Sequence, residues 1–324
     1  MEPKSKFNAR IYSRLGQSGS IFGLSLVEQV GKYPVKVLSS DMSVTAGLDR
    51  FKTMYPDLFY NVGIAEQNLI GVSAGLSSEG FKSIAVAQAA FISMRSFEQV
   101  RQYMGYMHHN MIALGISSGF ALTFFGNTHY AIEDLSLMRS IPGMVVLSPA
   151  DAGEAVKAFE CALSESSPVY IRLTGGLNNP IVYKEDFHYQ LGKANQVYNE
   201  GNDITLFATG SMVYMAMKAA ESLCGKGCGV RVIDVHTIKP LDYDIISDCK
   251  ESRLFVSVEE HAVVGGLGSA IADYISQSTC FPPLYKLGVQ DMFSTPGDYL
   301  YLLEQHRLTP ELIAEDVLSK YEML

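Results

Sequence analysis

Along this chain short apolar runs alternate with segments whose apolar residues recur at helical spacing. Val35-Lys36-Val37-Leu38, Leu58-Phe59-Tyr60, Ser83-Ile84-Ala85-Val86-Ala87, Met111 to Ile116, Met144-Val145-Val146-Leu147 and Val169-Tyr170-Ile171-Arg172-Leu173 read as strands. Residues 18–31 predict a first helix, with Ile21, Phe22, Leu24, Leu26, Val27 and Val30 as a broad apolar face. Leu69 to Leu76, Arg95 to Tyr106 and Ala131 to Arg139 predict further helices. Asp151, after Ser148-Pro149-Ala150, suits the cap of another. Strands alternating with helices predict a largely parallel, doubly wound sheet.

Thr174 to Tyr189 breaks the alternation with Gly175, Gly176, Asn178, Asn179 and Pro180, and reads as a linker. A second α/β unit follows. Its strands are expected at Ile204 to Ala208, Gly229 to Asp234, Leu254 to Val258 and Leu284 to Gly288. Its helices are expected at Met212 to Leu223, at Ser269 to Ile275 and at the end. The expected fold class is α/β, with two doubly wound domains at 1–189 and 190–324.

Composition narrows the field. The 324 residues suit two domains with a sizeable core. Lys and Arg number 25 against 34 Asp and Glu, so the net charge is −9, which argues against nucleic-acid binding. Five scattered cysteines include one C-x3-C pair, Cys224 and Cys228, with no second Cys/His pair nearby, so reduced thiols are expected rather than zinc. The polar start, Met1 to Lys6, leads into no apolar signal segment, and runs such as Ile84 to Ile92 are too short to span a bilayer. No membrane association and a cytoplasmic location are expected.

Candidate chemistry starts at Asn61-Val62-Gly63-Ile64-Ala65-Glu66-Gln67-Asn68, where a strand-like approach meets a helix. Glu66 falls in the first helical turn. A carboxylate there either complements the helix dipole or is aimed at a ligand. Gly265-Gly266-Leu267-Gly268 after a strand resembles a phosphate cradle but matches no G-x-G-x-x-G, so tight strand-to-helix packing is expected. His108-His109 would point apart on a helix. Glu259-Glu260-His261 after a strand reads as a polar turn with a structural contact, with a ligand set as the alternative. His129 sits in a loop after a strand, where parallel sheets place chemistry. Arg172 at a strand end and Arg14 before the first helix suit a carboxylate or phosphate, or an ordinary salt bridge.

Taken in order, these stretches resemble transketolase. Val62 to Gln67, Arg95-Ser96-Phe97-Glu98-Gln99-Val100-Arg101, Gly126-Asn127-Thr128-His129, Glu133-Asp134 and Arg139 to Met144 match its pyrimidine-binding domain. Thr237 to Asp242, Val258 to His261, Gly265 to Ala270 and Gly288 to Phe293 continue the match through the second half. The likeness covers nearly the whole chain and is that of the C-terminal subunit of a split transketolase. Deoxyxylulose-phosphate synthase and the β subunits of 2-oxoacid dehydrogenases are similar at greater distance.

The resemblance implies thiamine diphosphate as cofactor and a catalytic Glu66. The matching glutamate hydrogen-bonds N1′ of the aminopyrimidine and favours the imino tautomer that deprotonates thiazolium C2. Phe91 matches the aromatic residue stacked on the pyrimidine. Asp41, Ile64 and Arg95 also fall at the cofactor. His129, the other catalytic candidate, matches a histidine on substrate oxygens. Thr45 matches a position near the substrate, and Arg14 and Arg172 match positions that hold a sugar phosphate. No Gly-Asp-Gly segment followed by an Asn, the usual magnesium and diphosphate holder, occurs in this chain. An N-terminal partner subunit is therefore implied to supply that site with Mg2+, in an α2β2 assembly, and no metal ligand is assigned here.

The departures concern the substrate side. Ser117 stands where a sugar-contacting histidine is expected, Phe124-Phe125 replaces an acidic pair, and Tyr130 replaces a more usual glutamine. Loss of hydrogen-bonding groups weakens selection of a standard ketose phosphate. A specialised two-carbon transferase, in secondary metabolism, is the expectation. An ordinary pentose-phosphate transketolase, a 2-oxoacid-decarboxylating β subunit and a non-catalytic partner subunit are the alternatives.

Overall fold

The structure is a computed structural model that describes residues 7–324. The reading of Met1 to Lys6 lies outside the described residues. In chain order the strands are β1 (Val35–Ser39), β2 (Phe59–Asn61), β3 (Lys82–Gln88), β4 (Met111–Ser118), β5 (Val145–Leu147) and β6 (Val169–Thr174). They continue as β7 (Asn195–Asn199), β8 (Ile204–Ala208), β9 (Val230–Asp234), β10 (Thr237–Lys239), β11 (Leu254–Ala262) and β12 (Leu284–Val289). The first sheet has the order β10-β5-β6-β4-β3-β1-β2 and the second β12-β11-β8-β9-β7. All pairings are parallel except β10 on β5 and β7 on β9. The fold is α/β, built on two mainly parallel sheets.

Successive strand residues alternate between faces. Val37, Ile84, Val86, Ile112 and Leu114 pack on one side of the first sheet with Ile21, Phe22 and Phe159. Leu38, Ala85, Ala87 and Ala113 face the other way, into a layer shared with Phe207, Ile233 and Phe255 of the second sheet. Each large aliphatic or aromatic side chain so buried contributes about 1.5–3 kcal/mol. The outer face of the second sheet is covered by the helices Met212–Cys224 and Pro310–Glu322, through Ala216, Leu223, Ile313 and Val317.

Several elements differ from expectation. The first helix starts earlier, at Ala9–Ser20, because the Asn8 side chain accepts from Ile11 N at 3.1 Å and caps it. Arg14 therefore lies within that helix. The helix is broken at Gly16, whose φ of 72° is a left-handed conformation and whose missing Cβ leaves room for the Gly176 carbonyl. The path continues through a wide, π-type turn at Ile21–Ser25. The helix expected from Ala131 is only Asp134–Arg139, because Ala131 is spent on a bridge to Gly119. Strand β11 runs on to Ala262, so Glu259-Glu260-His261 is buried strand rather than polar turn. The antiparallel β7 and β10 were not expected. β10 belongs in sequence to the second half and pairs in the first sheet. Asp151 does cap the helix Ala152–Ser164, accepting from Glu154 N at 2.8 Å.

Candidate active site

Six connections leave the carboxyl ends of parallel strands in the first sheet: after β1 at Ser40, after β2 at Val62, after β3 at Ala89, after β4 at Gly119, after β5 at Ser148 and after β6 at Gly175. That edge is where open α/β sheets place ligands. Asp41, Thr45, Ile64, Glu66, Phe91, Arg95, Phe125 and His129 sit on these connections, whereas Ser117 and Arg172 lie within β4 and β6 and Arg14 lies in the first helix.

Asn61 organises the first two. Its Oδ1 accepts from Asp41 N and Gly63 N, both at 3.0 Å, and its Nδ2 donates to Asp41 Oδ1 at 2.9 Å. Asp41 is held at φ 59°, a strained conformation for a side-chain-bearing residue. Gly63, at φ 75°, supplies the turn into the helix Glu66–Ser78. Ala65 offers no side-chain cap, so the amide end of that helix is met by Glu66 itself in the first turn. Glu66 is 2% exposed, whereas Ile64 is 75% exposed.

Buried Glu66 has a cationic neighbour. Arg95 Nη1 lies 2.7 Å from Glu66 Oε2, and the Arg95 guanidinium carbon sits 4.1 Å from the Phe91 ring centroid. Arg95 is held from behind by Gln67 Nε2, which donates to its carbonyl at 3.2 Å. Phe91 meets the His129 ring edge-on at 5.1 Å, and His129 meets Phe125 at 5.0 Å. Thr128 Oγ1 is 2.9 Å from His129 Nδ1, which leaves Nε2 for another partner. Glu66, Arg95, Phe91, His129 and Phe125 thus form one continuous chain of contacts. Phe124 and Phe125 are 75% and 65% exposed beside it. Thr45 and Ser117 line a cavity of about 230 Å³ with Leu15, Gly16 and Gly176. Arg14 is exposed on the same helix as Leu15 and Gly16.

Arg172 is buried, with Nε 3.1 and 3.0 Å from the two Asp134 carboxylate oxygens. Its Nη2 donates to the carbonyls of Ala131 and Glu260 at 3.0 and 2.8 Å. The guanidinium is engaged by protein, so Arg172 ties the two halves together in this structure. The salt bridge, one of the two readings open from the sequence, is present.

The Glu-Glu-His stretch is also structural. Glu259 accepts from Leu267 N and Gly268 N at 2.7 and 2.8 Å and so fills the helix start that resembled a phosphate cradle. A Cβ on Gly266 would run into that carboxylate. Burial pushes Glu259 up to about 7 and His261 down to about 4. Glu260 accepts from Phe120 N and Tyr299 OH, each at 2.6 Å, and from the Ser211 hydroxyl. Asn61, Asn127, Asp134 and Glu260 were missed as organisers. Each acts across the chain, and only the Glu133-Asp134 and Glu259-Glu260 pairs carried a local signal. Among the described residues no group of three or more His, Cys, Asp or Glu is placed to hold a metal ion, and no helix is long and apolar enough to cross a membrane.

A buried carboxylate at a helix start, an aromatic face and a histidine loop make a site able to grip a planar nitrogen heterocycle and act on a neighbouring substrate. The chain belongs to the transketolase family. The transketolase pyrimidine-binding domain matches residues 27–179, and the transketolase C-terminal domain matches residues 192–313. The chain is 38% identical to the 6-deoxy-6-sulfo-D-fructose transketolase subunit of Clostridium sp. (strain MSTE9), over 86% of each chain. It is 34% identical to an apulose-4-phosphate transketolase subunit of Phocaeicola vulgatus, over 88% of this chain and 91% of that one. A solved split-gene transketolase, in an inactive beta4 tetramer, is 36% identical with a TM-score of 0.84, over 93% of this chain and 97% of that one. The fold also matches the transketolase of Campylobacter jejuni, at 18% identity and a TM-score of 0.80, but spans only 48% of that longer chain. The protein is a subunit of a split, transketolase-type transferase, and its family implies dependence on thiamine diphosphate.

Proposed function

We propose that this chain supplies the pyrimidine-gripping half of a shared site and moves a two-carbon unit from a specialised ketose donor to an aldehyde. The observation that carries this is Glu66: buried, at a helix start, and linked through Arg95 to the aromatic face of Phe91. A carboxylate and a stacking ring fit an aminopyrimidine, and thiamine diphosphate, when bound, supplies the nucleophilic carbon and the electron sink. Glu66 would hold a proton at the pyrimidine N1′. Phe91 would orient the ring, with Asp41 and Ile64 beside the cofactor. His129 would contact substrate oxygens through Nε2, and Thr45, Ser117 and Phe125 would border the substrate. Arg14 remains a candidate for an anionic substrate end.

Mg2+ and the diphosphate would be held mainly by an N-terminal subunit in an α2β2 enzyme of the cytoplasm. Residues 1–189 and 190–324 are taken as its two domains. The relatives named for a sulfofructose and an apulose phosphate support an unusual ketose with an anionic end. The exposed Phe124-Phe125 pair favours a second reading, in which a 2-oxo acid is the donor.

The test is turnover by the chain reconstituted with its N-terminal partner. Glu66→Ala should abolish two-carbon transfer, and unchanged activity would remove the assignment. Efficient turnover of xylulose 5-phosphate with ribose 5-phosphate would overturn the specialised reading, and release of carbon dioxide from a 2-oxo acid would favour the second.

A further inference from the structure

The two groups assigned above to the pyrimidine are both engaged by one side chain. The Arg95 guanidinium lies over the Phe91 ring with its carbon 4.1 Å from the centroid, and its Nη1 meets Glu66 Oε2 at 2.7 Å. A guanidinium is planar, delocalised and rich in N–H donors, and it stacks on aromatic faces. It therefore makes the same pair of contacts that a stacked aminopyrimidine would make: one to a ring, one to a carboxylate.

We propose that Arg95 is a placeholder for the cofactor's pyrimidine, and that its side chain swings away as the pyrimidine enters. This rests on the reading of Glu66 and Phe91 given above. The local structure separates a fixed backbone from a movable side chain. The Arg95 carbonyl is held by Gln67, and the next residue, Ser96, donates its hydroxyl to Ile92 O at 2.7 Å. The Arg95 side chain is 46% exposed, so its route out is toward solvent. Glu98, three residues on, is exposed and would be available to the displaced guanidinium.

The placeholder serves the folded chain as well. A buried carboxylate left without a partner is costly, and Arg95 provides one until the pyrimidine replaces it. The consequence is a gate on cofactor entry. Only the fraction of molecules with Arg95 displaced can accept the pyrimidine, and the apparent dissociation constant rises in proportion. Arg95 is thus a positioning residue that acts through Glu66 and Phe91.

The experiment is isothermal titration of thiamine diphosphate with Mg2+ into the complex of this chain and its N-terminal partner, with stopped-flow association rates. Arg95→Ala should bind about tenfold more tightly, through faster association, which corresponds to about 1.4 kcal/mol. Arg95→Lys, which keeps the charge and loses the planar stack, should fall between. Methylguanidinium should compete with the cofactor in Arg95→Ala and not in the wild type, an effect that a merely structural arginine would not produce. Weaker or unchanged binding by Arg95→Ala, with Glu66→Gln weakened, overturns the placeholder and leaves the function standing. Unchanged affinity in Glu66→Gln overturns both.

Discussion

Asn127 and Ser294 exchange two hydrogen bonds. Asn127 Nδ2 donates to the Ser294 carbonyl at 2.8 Å, and Asn127 Oδ1 accepts the Ser294 amide at 3.0 Å, across a separation of 167 residues. The loop that carries His129 is therefore held in place from the second half of the chain. Asn127→Ala removes both bonds. Such bonds are worth about 0.5–1.5 kcal/mol each. The expected result is faster amide exchange confined to 119–131 and lower kcat/KM in the assembled enzyme, with the melting temperature little changed. Global destabilisation without a local exchange effect would contradict this.

Asp134 and Arg172 are both buried, and Tyr170 OH adds a third contact to Asp134 at 2.8 Å. Removing one partner strands the other charge. Asp134→Ala should cost about 3–5 kcal/mol in urea unfolding. The double variant Asp134→Leu with Arg172→Met should recover most of that loss, because the uncompensated charge is gone. Equal losses in the single and double variants would show that the pair is not the source.

Gly119 has a φ of 61°, and a Cβ there would run into Glu260 Oε1. Glu260 is the acceptor for Phe120 N, Tyr299 and Ser211, so it has no free direction in which to move. Gly119→Ala should cost about 1–3 kcal/mol as an overpacked site, with backbone strain in addition. Chemical denaturation of the two proteins side by side measures it.

Stability should also respond to Asp234 and its surroundings. Burial pushes the Asp234 carboxyl up to about 7, and neighbouring Glu154 is raised as well, by burial and then by the charge of Asp234. A carboxyl raised on folding contributes stability below its unfolded pKa, about 3.9, and loses it as pH climbs through its folded value. Buried His236 works the other way. It is lowered to about 4 by burial, so its contribution disappears as pH falls from about 6.5 toward 4. The two trends oppose each other across that window. Asp234→Asn removes the acidic one, so its stability should climb with pH from about 4 to 6.5 more steeply than that of the wild type. Parallel profiles in urea melts across this range would refute it.

Much of the fold was legible because it rests on local pattern. Val37, Ile84, Val86 and Leu114 lie in short apolar runs separated by helical periodicity, and those runs became the parallel strands. Strand β10 and the edge strand β7 were not legible. Thr237–Lys239 is three residues long and takes its identity from pairing with Leu147 and Val146, far away in sequence. Asp151 was readable as a cap because capping is a contact between neighbours.

The same division runs through the site. The order of residues by itself determined that Glu66 opens a helix after a strand, that His129 rides on a loop and that the family is transketolase-like. Only the tertiary structure decided that Arg95 covers Phe91 and Glu66, that Arg172 is buried against Asp134, and that Glu259 fills the glycine-rich helix start. The physical reason is that helix starts and strand ends follow from interactions a few residues apart. A charge's role depends on which distant partner packing brings within about 3 Å, and on whether water is excluded there.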